Sequence, residues 1–147
     1  MSRVVEACVL KYQSSTSGIT IRFDGRTNGT TAICNTSELS VVVSILLENA
    51  IEALTVSPDP AANTEKSVLV ETLLRDSKIL IHVRDTGPGL PMDIVESIFQ
   101  DGVSTKGRNR GFGLSYARTC ISKYGGKVYL DTSEKGCTCF AVELLLA

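Results

Sequence analysis

From residue 37 to residue 56, apolar side chains recur at Leu39, Val42, Val43, Leu46, Ala50, Ala53 and Leu54, all on one face at 100° per residue. A stripe this long is held in a helix by burial rather than by propensity, so it needs an apolar surface to lie on. The runs SVLVETLL and KILIHVRD supply one. They flank Asp76-Ser77 and predict a hairpin buried on at least one face.

The remaining segments fall around this pairing. Val4, Val5, Cys8 and Val9 predict a short helix over residues 2 to 12. GITIRFD alternates Ile19, Ile21 and Phe23 with polar residues, Asn28-Gly29 supplies a turn and TAICN follows, so residues 18 to 35 are expected as a second hairpin at the sheet edge. Ser37 is the expected cap of the long helix, and the prolines of SPDPAAN make 57 to 64 a surface loop. A short helix with Pro91 in its first turn is expected over 91 to 99, then a polar, glycine-bearing loop over 100 to 111. FGLSYARTCISKYGG is an amphipathic helix stopped by Gly125-Gly126, and KVYLDT and CTCFAVELLL close the chain as strands around a turn at Ser133 to Gly136. The order implies an α+β fold: a two-layer sandwich of one mixed, largely antiparallel sheet with about three helices on one face. At 147 residues, 1 to 147 is expected to form a single domain.

Composition removes several function classes. Fifteen basic against 16 acidic residues give a net charge of −1, so no broad field attracts nucleic acid or an anionic membrane. The apolar stretch Ala141 to Ala147 is broken by Glu143 and falls far short of a bilayer span, and the N-terminus lacks a secretory signal, which predicts a cytoplasmic chain. Cys8, Cys34, Cys120, Cys137 and Cys139 form neither a CxxC pair nor a zinc pattern and are expected as reduced, structural thiols. His82, the only histidine, sits in a strand pattern and predicts packing or surface placement rather than a catalytic triad.

Three features carry chemistry. Asn49 borders the apolar stripe, where its amide either bonds a neighbouring loop or faces a cavity as a hard oxygen ligand suited to Mg²⁺. DTGPGL at Asp85 to Leu90 leaves a strand straight into a glycine-punctuated turn; alone it is an ordinary turn sequence. It also offers a carboxylate to an exocyclic amine such as adenine N6, with Gly87 and Gly89 letting backbone approach a flat ring. GRNRGFGL at Gly107 to Leu114 is either a solvated loop or a phosphate cradle, in which helix-start N–H groups join Lys106, Arg108 and Arg110. It is neither a Walker A loop nor a dinucleotide fingerprint. An amine acceptor, a magnesium-type amide and a phosphate cradle together make an adenine-nucleotide site.

In their order these segments resemble the Bergerat-fold (GHKL) ATPases, and among them the catalytic domains of sensor histidine kinases, nearest the citrate- and dicarboxylate-sensing type. LLENAIEAL at Leu46 to Leu54 is similar to the N box, DTGPGL to the G1 box, IFQDGVSTKG at Ile98 to Gly107 to the F box and lid, and RGFGLSYAR at Arg110 to Arg118 to the G2 box. GCTCF at Gly136 to Phe140 resembles the strand that sets a threonine, Thr138, under the adenine. The resemblance implies ATP and Mg²⁺ as ligands, with Asn49 on the metal and Asp85 on the adenine amine. Ala53, Gly87, Gly89 and Leu90 would lie around the base. Ser104, Thr105, Lys106, Arg110, Gly111, Gly113 and Leu114 would form the lid and its base near the phosphates. The composition of 100 to 111 further predicts a lid that is mobile without nucleotide.

Two positions depart from the family. Where it usually has Asn or Glu, four residues before Asn49, stands Ile45, which neither binds metal nor polarises water; Glu52 replaces a frequent phosphate-contacting lysine. The implied reaction is transfer of the ATP γ-phosphate to a histidine on a separate dimerisation domain of the same protein, from which a response regulator would be served. This chain alone would bind ATP without phosphorylating itself. The alternatives are a serine-phosphorylating anti-sigma-factor kinase and a nucleotide-gated binding module that transfers nothing.

Overall fold

The computed structural model describes residues 1–16, 18–27, 29–56, 66–87, 113–133 and 137–147. Within them the order is α1 (Ser2–Ser15), β1 (Thr20–Gly25), α2 (Thr36–Val56), β2 (Ser67–Arg75), β3 (Lys78–Asp85), α3 (Gly113–Ser122), β4 (Lys127–Asp131) and β5 (Thr138–Leu145). The five strands form one sheet in the order β1-β2-β3-β5-β4, parallel between β1 and β2 and antiparallel elsewhere. The three helices and mixed sheet are the expected fold class.

Strand register shows on which face the helices lie. The strand members of the buried core are Ile21, Val68, Val70, Ile79, Ile81, Val83, Val128, Phe140, Val142 and Leu144, and in every pairing these belong to the same row of alternate residues. They meet Val5 and Val9 of α1, Leu39, Val42, Val43, Leu46, Leu47, Ala50 and Leu54 of α2, and Ala117 and Ile121 of α3. Burying this many branched side chains, each contributing roughly 1.5–3 kcal/mol, is what fixes the long helix across the sheet.

The hairpin between β2 and β3 forms as the sequence predicts. Arg75 pairs with Lys78, and Asp76 and Ser77 take φ of 52° and 63°, the positive values that suit a two-residue turn to strand twist. The expected hairpin over 18 to 35 does not form. β1 lies parallel to β2 with Thr20 opposite Ser67, α2 serves as the crossover, and TAICN contributes only a bridge from Ala32 to Leu146. The chain beyond Gly25 instead stays on β2: Arg26 donates its N–H to the Thr72 carbonyl at 2.8 Å, and Thr27 joins a buried hydroxyl cluster with Ser2 and Thr72. Local alternation selected the strand, but long-range pairing selected its partner.

Asn35 rather than Ser37 caps α2, its Oδ1 accepting the Glu38 N–H at 3.1 Å. At the end of α3 the glycine stop holds: Gly125 has φ of 73°, its N–H reaches the Ser122 carbonyl at 3.1 Å and that of Gly126 reaches Ile121 at 3.2 Å. The expected loop at 57 to 64, the helix over 91 to 99 and the loop over 100 to 111 lie outside the described residues.

Candidate nucleotide site

Ile45, Asn49 and Ala53 stand four residues apart on α2 and are all half-buried. At 1.5 Å per residue they form a line about 12 Å long on one side of the helix. The apolar stripe next to them is buried completely, so this line marks where the helix stops meeting the sheet core.

Asp85 ends β3. Its register partners are Val68 on β2 and Thr138 on β5, and it belongs to the row that faces the helices. A carboxylate on a core-facing row is costly to bury, yet Asp85 is only 2% exposed. Sequence reading expects an open carboxylate at the strand end; strand parity turns it inward instead. Its Oδ1 accepts the Gly87 N–H at 2.8 Å, which fixes the carboxylate against the turn. Thr138, also buried, begins β5 directly beside it.

A side chain at position 87 would crowd the Asp85 carboxylate. A Cβ there would stand 2.8 Å from Asp85 Oδ1 and 4.0 Å from the Ala53 Cβ. Four of the sequence-derived site residues, Ala53, Asp85, Gly87 and Thr138, therefore converge where α2, the end of β3 and the start of β5 meet. Thr86, to which the sequence reading gives no role, anchors this corner. Its N–H donates to the Ser67 carbonyl at 3.1 Å, and its Oγ1 accepts the Ser67 N–H at 3.1 Å. Its place inside DTGPGL was the available signal.

The other end of the line lies against α3. Gly113 opens that helix beside Ile45, whose Cγ2 would be 3.2 Å from a Cβ at position 113, and Leu114 packs on the core edge. Farther along, Glu38 of α2 accepts from Lys123 Nζ at 2.7 Å and from the Tyr124 hydroxyl. These two donors hold the Glu38 carboxyl below the usual range, and Glu38 in turn raises the Lys123 ammonium and the Tyr124 phenol. Sequence reading missed this tie, which fixes the far end of α3 to the first turn of α2. Gly89, Leu90, Ser104, Thr105, Lys106, Arg110 and Gly111 lie outside the described residues.

Among the described residues no group of three or more His, Cys, Asp or Glu side chains is placed to hold a metal ion. Asn49, half-buried on α2, carries a neutral amide oxygen, a donor type that Mg²⁺ accepts. All five cysteines are unbridged; Cys8, Cys120 and Cys139 are buried, and burial pushes the Cys139 thiol up to about 11. No helix among the described residues is long and apolar enough to cross a membrane.

A helix layer covers one side of the mixed sheet, and the buried carboxylate-glycine corner lies beside the half-buried line of α2. The chain belongs to the family of histidine kinase-, DNA gyrase B-, and HSP90-like ATPases, whose model matches residues 34–147. The sensor protein CitS of Halalkalibacterium halodurans is 35% identical over 107 residues, covering 72% of this chain and 19% of that protein. The C4-dicarboxylate transport sensor protein DctB of Rhizobium meliloti is 32% identical over 146 residues, 98% of this chain and 22% of that one. The chain thus spans about a fifth of the length of these curated relatives. Among solved structures, the catalytic domain of histidine kinase ThkA superposes with a TM-score of 0.81 at 21% identity, covering 99% of this chain and 91% of that one, a likeness of fold.

Proposed function

We propose that residues 1 to 147 form the ATP-binding catalytic unit of a sensor histidine kinase, passing the γ-phosphoryl group of ATP to a histidine on a separate dimerisation domain. The observation that carries this reading is the corner itself: Asp85, buried and fixed by the Gly87 N–H, beside Thr138 and across from Ala53. A carboxylate has about four acceptor sites, so the bond from Gly87 orients the group without exhausting it. Asp85 accepts the adenine amine, while Gly87 and Gly89 bring backbone to the ring face, and Ala53, Leu90 and Thr138 border it.

From that corner the nucleotide runs along α2 toward Ile45, over a line roughly 12 Å long. Asn49 lends its amide oxygen to Mg²⁺, which when bound neutralises charge on the phosphate oxygens. The N–H groups of the first turn of α3, from Gly113 and Leu114 onward, face the phosphates with the positive end of the helix dipole. Ser104, Thr105, Lys106, Arg110 and Gly111 supply the remaining contacts of the lid. The acceptor imidazole nitrogen forms the new bond to phosphorus as the bond to the ADP oxygen breaks, and the protein's part is positioning.

Ile45 stands where a water-polarising carboxylate would be needed, so hydrolysis is expected to be slow. His82 is not the acceptor, since it lies within β3 and is 7% exposed. The downstream partner is a response regulator that takes the phosphoryl group from the histidine domain.

Mixing the chain with a histidine-bearing dimerisation domain and γ-labelled ATP tests the reading. Acid-labile, base-stable label on the added domain, with none on this chain, is the expected result. Label on serine, or none on the added domain while ATP is bound, contradicts phosphotransfer to histidine.

A further inference from the structure

Gly113 has no conformational reason to be glycine. It opens α3, and its φ is not among the positive ones. The reason lies across the helix interface. A Cβ at position 113 would stand 3.2 Å from Ile45 Cγ2 and 4.0 Å from Ile45 Cγ1. Ala117, Cys120 and Ile121 seat the body of α3 on the core that α2 shares, and Ile45 is the α2 side chain that its first residue meets.

We infer that Ile45 is a positioning residue for the nucleotide: its Cγ2 methyl is the stop on which the first turn of α3 seats, setting the gap between that helix start and Asn49. The inference rests on the nucleotide reading above. It is specific to an aliphatic group at this place. Van der Waals contact is short-range, and a gap of about 0.5–1 Å already forfeits a quarter to a half of it, so a methyl packed at the helix start holds the two close. A solvated polar side chain tolerates a wider range. The free N–H groups of a helix start act on a phosphate only at hydrogen-bond distance, so that separation governs nucleotide affinity. At its other end α3 is tied to α2 through Glu38, Lys123 and Tyr124, so a changed seat at Gly113 tilts the helix rather than carrying it away whole.

A double-mutant cycle on the full chain tests this, with binding of ribose-labelled fluorescent ATP in the presence of Mg²⁺ as one readout and melting temperature without nucleotide as the other. Ile45→Ala removes the stop, and Gly113→Ala pushes the helix off it. Each is expected to weaken binding about tenfold, the loss of roughly one charge-assisted hydrogen bond. The pair together returns affinity to within about threefold of the parent, because the alanine Cβ on one side refills the space emptied on the other. Ile45→Val keeps both γ carbons and recovers the affinity that alanine loses. Should Ile45→Ala fail to fold, Gly113→Ala, which favours the helix, still reports whether the seat matters.

A role in packing alone would lower the melting temperature of Ile45→Ala and leave affinity unmoved, which overturns the inference. Simple addition of the two single effects overturns it as well. A parent chain that binds no labelled ATP removes the nucleotide reading and this inference with it; a parent that binds, with a flat cycle, removes the inference only.

Discussion

Asp85 shows how much can rest on one side chain. Its carboxylate is drawn into the core-facing row of β3, where burial of a charge is costly, and the Gly87 N–H meets it there at 2.8 Å. A methyl at position 87 would stand 2.8 Å from Asp85 Oδ1, so the carboxylate would have to shift. Gly87→Ala is therefore expected to cost at least about tenfold in ATP affinity, measured by equilibrium titration, by displacing the carboxylate it holds. A normal affinity in that variant would mean the turn does not orient Asp85. The type of this residue was legible in the sequence, but its burial was not. KILIHVRD is apolar or buried on both faces, with Leu80 and His82 enclosed on the row opposite Ile79, Ile81 and Val83, so alternation does not say which face Asp85 takes.

At the scale of elements, legibility followed the range of the signal. The β2–β3 hairpin and the stop of α3 are written in adjacent residues, Asp76-Ser77 and Gly125-Gly126, and both form as expected. The partner of β1 lies some forty residues downstream across a helix, and parallel pairing has no local turn code, so Asn28-Gly29 suggested a hairpin that the chain does not make. Asn35 and Ser37 are both good caps by residue type; only geometry chooses the oxygen that reaches an N–H. The glycine pair also limits what α3 tolerates. A Cβ on Gly126 would lie 2.3 Å from the Glu143 carbonyl and 2.7 Å from Ile121 Cγ2. Gly126→Ala is expected to destabilise the fold by roughly 1–3 kcal/mol through overpacking between α3 and β5, read by urea denaturation. An unchanged midpoint would show that the two elements separate without cost.

For the whole molecule, the described helices all lie on one face of the sheet, and the opposite face carries a buried titratable group. His82 is held below the ordinary histidine range, mainly by its burial, with the pull of Asp131 and Glu71 opposing. Because its folded-state pKa lies below 6.5, the unfolded chain binds the proton more readily. Stability is therefore lost as pH falls from about 6.5 through the folded value. His82→Leu is expected to flatten the fall in melting temperature between about pH 7 and pH 5; an identical slope in both proteins would assign the acid sensitivity to other groups. The fold as a whole brings residues from α2, β3 and β5 to a single corner, and the decisive measurement is made there. ATP and GTP are titrated against the parent chain and against Asp85→Asn. The parent is expected to favour ATP, and the variant to lose that preference together with about ten- to hundredfold of ATP affinity, as for a hydrogen bond to a charged group. Equal binding of ATP and GTP by the parent, or an unchanged preference in Asp85→Asn, would contradict the account.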